Sequence, residues 1–117
     1  MTPGDRAALR IHHMRDAIAG IRQVLATGTP DEIEADWVRA RAVERGFEIL
    51  SEASRNIPDA LKAEEPGIPW REIAGIGNVL RHDYDGVEFR LLLATALGDF
   101  AALEVALQRL LVRLPPL

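Results

Sequence analysis

Pro69-Trp70-Arg71-Glu72-Ile73-Ala74-Gly75-Ile76-Gly77-Asn78-Val79-Leu80-Arg81-His82-Asp83-Tyr84-Asp85-Gly86-Val87 is a helix start, a helix and a polar helix end in sequence. Proline suits the first helical position, where its missing N–H is an orphan in any case. Ile73, Ile76 and Leu80 repeat at steps of three and four, which gives one apolar face. Asn78 and His82 are four apart and so project from the same side of that helix. The spacing predicts a helix over residues 70–82, and Asp85-Gly86 then reads as a turn. A titratable imidazole, a guanidinium, a phenol and two carboxylates therefore gather at one helix end.

Upstream, Ile11, Met14, Ile18, Ile21 and Leu25 form a stripe that Ala17 and Val24 widen, predicting a helix over about residues 5–26 stopped by Gly28. Thr29-Pro30-Asp31-Glu32 reads as a capping box that opens a short helix ending near Asp36. Ala40, Val43, Phe47, Leu50 and Ser54 line one face of a helix over residues 37–56. Glu44, Glu48 and Glu52 run along the same helix as a row of the kind that usually faces water. A proline-containing loop follows from Pro58 to Ile68, with one helical turn over residues 59–63. The last helix opens at Asp85 or Gly86. Phe89, Leu93, Ala96, Phe100, Leu103, Leu107, Leu110 and Leu114 give it the strongest period in the chain, and Pro115-Pro116 ends it. Leu92, Leu97 and Leu111 add a second apolar strip, wide enough to suggest burial against both the bundle and another subunit. No segment reads as a strand. The expected fold is all-α, an antiparallel up-and-down bundle of four long helices with short accessory helices.

At 117 residues the chain reads as a single domain, 1–117. It has no cysteine, which excludes disulfides, a thiol nucleophile and cysteine metal sites. No apolar run is long enough to span a membrane and no signal peptide is visible, so the expected location is the cytoplasm. The net charge of −4 speaks against indiscriminate coating of nucleic acid but leaves room for a local basic groove. Lys62 is the only lysine, so nearly all positive charge is guanidinium, which grips phosphate through two parallel hydrogen bonds. His12 and His13, adjacent on the first helix, point about 100° apart and make a poor metal pair. Gly75-Ile76-Gly77 sits inside a helix pattern, so it is no phosphate-cradling loop.

The run Trp70 to Tyr84 resembles the HepT-like family of HEPN-domain proteins, whose pattern is Trp-Arg-x-Ile-Ala-Gly-x-Arg-Asn-x-Leu-x-His-x-Tyr. Arg41-Ala42-Val43-Glu44-Arg45-Gly46-Phe47-Glu48-Ile49-Leu50-Ser51-Glu52-Ala53 is similar to a second block of that family. One motif position departs: the family's arginine, five before the histidine, is Gly77 here.

The resemblance implies a metal-independent endoribonuclease, the toxin of a toxin–antitoxin module, with two copies of the motif lining the cleft of a homodimer. Cleaving RNA through its own 2′-hydroxyl needs a base, an acid and a cation for the growing phosphorane charge. Carried over by position, His82 is the base or acid, and Asn78 is the polar group beside the missing arginine. Arg81 is the motif cation left next to His82. Glu52 matches a family glutamate and is a candidate orienting group. Tyr84 matches the tyrosine to which a cognate minimal nucleotidyltransferase, the antitoxin, can transfer AMP. No cofactor and no metal is implied. The other reading is a catalytically inactive HEPN binding module that keeps the nucleotidyltransferase as partner, and activity on RNA separates the two. From sequence alone, Gly77→Arg is expected to raise activity.

Overall fold

The computed structural model describes residues 1–83 and 85–116, with the side chains of residues 95–97 left aside. Tyr84, and the places of Ala96 and Leu97 in the last helix's apolar strips, lie outside the described residues. The described residues form six helices and no strand: α1 (Pro3–Leu25), α2 (Pro30–Ala35), α3 (Trp37–Arg55), α4 (Asp59–Lys62), α5 (Trp70–Arg81) and α6 (Val87–Arg113). This is the expected all-α antiparallel bundle, with α1, α3, α5 and α6 long and α2 and α4 accessory.

The caps follow local chemistry. Thr29 and Glu32 exchange both capping-box bonds, N–H to side chain in each direction, at 3.2 and 3.0 Å. Thr2 and Asp5 do the same at 3.0 Å each, so α1 starts two residues before the expected residue 5. Gly28 is not what stops α1. The helix ends at Leu25, and the Thr27 hydroxyl donates to the Val24 carbonyl at 2.6 Å. Pro69 caps α5 from outside instead of occupying its first turn. Gly86, not the first residue of α6 but its cap, is the one residue with positive φ (74°) among those described, a conformation glycine adopts without strain.

α3 is the central helix, packed against α1 on one side and α5 on the other, while α6 crosses α1 and touches α5 and α2. The core is one cluster, with Ile11, Met14, Ile18 and Ile21 from α1, Val43, Phe47 and Leu50 from α3, and Leu93, Leu103, Leu107 and Leu110 from α6. Phe47 and Phe100 meet at 6.0 Å between ring centres in a tilted pair, which suits the ring quadrupoles. Leu92 and Leu111 pack half-buried against this same core. This is the burial against the bundle that the width of the strip implies. Among the described residues, the large apolar side chains that α6 exposes are Val87, Leu91, Val105 and Val112.

The loop before α5 is tied down twice. The Trp70 indole N–H donates to the carbonyls of Lys62 and Glu65 at 3.1 Å each. The Glu65 side chain, 7% exposed, takes a paired grip from Arg109 (2.6 and 3.2 Å) and a further bond from Arg113 (3.3 Å). α5 is thus anchored at its start to α6 before it reaches the polar end.

Candidate active site

α5 lies on α3 through Ile73 and Gly77, its two buried residues. Ser51 of α3, fully buried, donates its hydroxyl to the Ala74 carbonyl at 2.8 Å, and the Gly77 N–H donates to the Ser51 hydroxyl oxygen at 3.4 Å. The Arg55 guanidinium adds a bond to the Ala74 carbonyl at 2.9 Å. This close backbone approach fixes the height and rotation of α5 on α3.

The polar end of α5 faces water. Asn78, Arg81 and His82 are all exposed. At about 100° per residue, Asn78 lies between the other two, some 60° from Arg81 and 40° from His82. The three side chains form one stripe at the helix end. The Arg81 side chain leans back toward the start of the helix: a β-carbon built on Gly77 would lie 3.6 Å from Arg81 Nη1 and 3.7 Å from Ser51 Oγ. Helical side chains tilt toward the N-terminus, so residue 81 covers the turn that begins at 77. A comparison of Arg81 with His82 alone, as adjacent residues, misses this.

His82 is the residue that leaves the helix. Its backbone, at φ −108° and ψ 13°, caps α5, and the N–H groups of His82 and Asp83 bond the Val79 and Leu80 carbonyls at 3.2 Å each in a tightened last turn. Asp83 then turns to α6. Its carboxylate accepts from the backbone N–H groups of Phe89 at 2.9 Å and Glu88 at 3.4 Å. The imidazole is held between a finished helix and an aspartate locked onto the next one.

Glu52 stands apart from the stripe. It is exposed on α3 and paired with Arg55. The Arg55 hydrogen bond first, and then its charge, hold the Glu52 carboxyl below the usual carboxylate range. Through Arg55 it reaches the Ala74 carbonyl, one turn before Gly77. Ser51, Arg55 and Asp83 support the site, a role that the sequence alone assigns to none of them; their signal is hydrogen bonding across 19 to 23 residues for the first two and across a turn for the third.

His13 lines two grooves between α1 and α3. The larger, of about 460 Å³, has apolar walls from Ala17, Ile21, Val24 and Ile49. The smaller, of about 110 Å³, is shared by Arg10, Arg45, Glu48 and Glu52. Neither includes Asn78, Arg81 or His82. Among the described residues no three histidine, aspartate or glutamate side chains converge as a metal-ligand set requires. No single helix among them is long and apolar enough to cross a membrane.

The arrangement offers a titratable imidazole, an amide and a guanidinium on one open surface, able to take a proton and to face an anion. The chain is similar to several known proteins. A protein of Caldanaerobacter subterraneus subsp. tengcongensis named "Putative RNase" is 35% identical over 81 residues, 69% of this chain and 72% of that one. One of Thermococcus cleftensis named "Probable ribonuclease HepT" is 44% identical over 69 residues, 59% of this chain and 63% of that one. A "Putative RNase" of Methanocaldococcus jannaschii is 43% identical over 51 residues, 44% of this chain and 47% of that one, so the matches to these last two span less than two-thirds of their length. No solved structure matches the chain at a significant level. Residues 14–110 match the family described as ribonuclease HepT-like, and the chain belongs to that family.

Proposed function

We propose that this chain is a ribonuclease toxin of a toxin–antitoxin module, cutting RNA without a metal in a cleft formed by two copies of itself. The observation that carries this reading is the exposed stripe of Asn78, Arg81 and His82 on a helix end held from both sides. Family membership and the names of the relatives support it.

In this mechanism His82 takes the proton of the ribose 2′-hydroxyl as that oxygen attacks the adjacent phosphorus. The P–O5′ bond breaks, leaving a 2′,3′-cyclic phosphate on one fragment and a 5′-hydroxyl on the other. The leaving oxygen receives a proton from the second protomer's His82 or from water. A histidine titrates near neutrality and serves either step. Asn78 hydrogen-bonds the phosphate, and a guanidinium offsets the negative charge that builds on it. The antitoxin partner is a minimal nucleotidyltransferase that transfers AMP to Tyr84, placing bulk and negative charge beside His82. The whole serves in the cytoplasm.

Cleavage of a labelled single-stranded RNA in EDTA, compared between the wild type and His82→Ala, tests the reading. Cyclic-phosphate ends that disappear with the imidazole are the expected result. Cleavage that needs Mg²⁺, or that survives His82→Ala, overturns it. An inert wild type that still binds the nucleotidyltransferase establishes the inactive binding module instead.

A further inference from the structure

We propose that Arg81 is the phosphate-gripping cation of this chain, and that Gly77 is the opening in the helix surface that seats its guanidinium. The inference deepens the ribonuclease reading and rests on it for the identity of the anion, an RNA phosphate.

Three observations carry it. Residues 77 and 81 are four apart, so they share one line along α5. The Arg81 Nη1 atom sits 3.6 Å from where a side chain at 77 would begin, with the Ser51 hydroxyl closing the other side at 3.7 Å. Arg81 forms none of the ion pairs among the described residues, in contrast to Arg39, Arg41, Arg45, Arg55, Arg90, Arg109 and Arg113. Arg81 is also exposed, so an anion can reach the guanidinium that lies over Gly77. The motif's cation has not been lost. It has moved one turn along the helix and reaches back over the position it left.

The two positions exclude each other. A methyl group at 77 makes ordinary contact with the guanidinium, but any longer side chain must take the space the guanidinium occupies. Two arginines there would also repel each other. Gly77→Arg in the native background therefore gains nothing, the reverse of the sequence-based expectation, whereas Gly77→Arg in an Arg81→Ala background restores the cation.

The test uses full-length protein, an RNA oligonucleotide for cleavage, and a non-cleavable 2′-O-methyl oligonucleotide whose binding is read by fluorescence anisotropy against salt. Arg81→Ala is expected to lower cleavage on the order of 100-fold and to reduce the salt slope of binding by about one contact. Arg15→Ala, an exposed arginine on α1, is the charge control and leaves both unchanged. Gly77→Met is expected to resemble Arg81→Ala, and combining the two adds little, since both remove one interaction. Gly77→Arg/Arg81→Ala recovers cleavage and binding, and it decides the question if the methionine variant does not fold. Arg81→Ala equal to wild type in both assays, or failure of the folded exchange variant to recover either, overturns the proposal. If the wild type binds the 2′-O-methyl strand through Arg81 but never cleaves RNA, the nuclease reading falls and the seat stands. If it neither cleaves nor binds, both fall.

Discussion

The Asp83 carboxylate accepts the backbone N–H of Phe89 at 2.9 Å, six residues ahead, and so joins the end of α5 to the start of α6. Gly86 makes the reversal possible with its positive φ. Because Asp83 directly follows His82, this one bond limits how far the imidazole can swing. Asp83→Ala removes the cap and is expected to cost about 1 kcal/mol of stability, the usual worth of an N-terminal capping side chain. Asp83→Asn keeps an acceptor and costs less. Urea melts give the stability. Cleavage kinetics separate the two roles: a positioning loss lowers kcat in Asp83→Ala at a temperature where the protein is fully folded, and Asp83→Asn restores most of it.

Much of this framework is legible in the chain. Thr29-Pro30-x-Glu32 announces its capping box, and the face Ala40, Val43, Phe47, Leu50, Ser54 is buried as its period implies. Thr2-Pro3-x-Asp5 is the same signal with a shorter acid, and reading it would have set the start of α1 correctly. The fold-back of Arg81 was also legible in principle, as a four-residue spacing to a glycine. What local pattern cannot supply is Ser51 under Ala74, because a buried serine in a helical stripe looks like any small core residue until its partner helix is known. The second strip of α6 is a related case. Periodicity tells how wide an apolar face is, not whether the same subunit covers it.

Glu65 is a non-local pairing that local pattern cannot supply, since its arginines are 44 and 48 residues away. The Arg109 hydrogen bond first, outweighing the cost of burial, and then the arginine charges hold its carboxyl below the usual range. A depressed carboxylate pKa stabilises the fold at all pH above the unfolded value, about 4.3 for glutamate. That contribution is lost as pH falls below it through the folded value. Glu65→Gln is therefore expected to lower stability at neutral pH and to flatten its decline below about pH 4.3. Melting temperatures of both proteins between neutrality and acid read this directly. Parallel acid limbs would show that the pair contributes nothing.

Two mid-helix glycines predict opposite outcomes. A β-carbon on Gly46 would stand 2.5 Å from Ile21 Cγ1 and 3.0 Å from its Cδ1, in the tightly packed α1–α3 contact. Ile21 is buried and cannot step aside, so Gly46→Ala is expected to cost about 1–3 kcal/mol as overpacking. Gly75 has nothing within 4 Å of such a carbon. Gly75→Ala is expected to stabilise by roughly 0.5–1 kcal/mol, the gain of alanine over glycine inside a helix. Denaturant midpoints distinguish the two.

The last prediction concerns the second copy that the proposed cleft requires. Among the described residues, Val79 on α5 and Val87 and Leu91 on the first turns of α6 are exposed apolar side chains close to the site in sequence. All three lie within one turn or two of the Arg81-His82-Asp83 corner in sequence. Exposed apolar side chains are what a self-complementary contact uses, since the same surface serves both partners around a two-fold axis. Leu91 is 58% exposed, so replacing it with glutamate removes little from the monomer's own core. Light scattering at micromolar concentration is expected to give twice the chain mass for the wild type and one chain mass for Leu91→Glu, with nearly equal melting temperature at low concentration. If the cleft needs both protomers, Leu91→Glu also loses RNA cleavage while keeping Arg81 and His82 intact. A wild type that is monomeric and still cleaves shows that one stripe suffices.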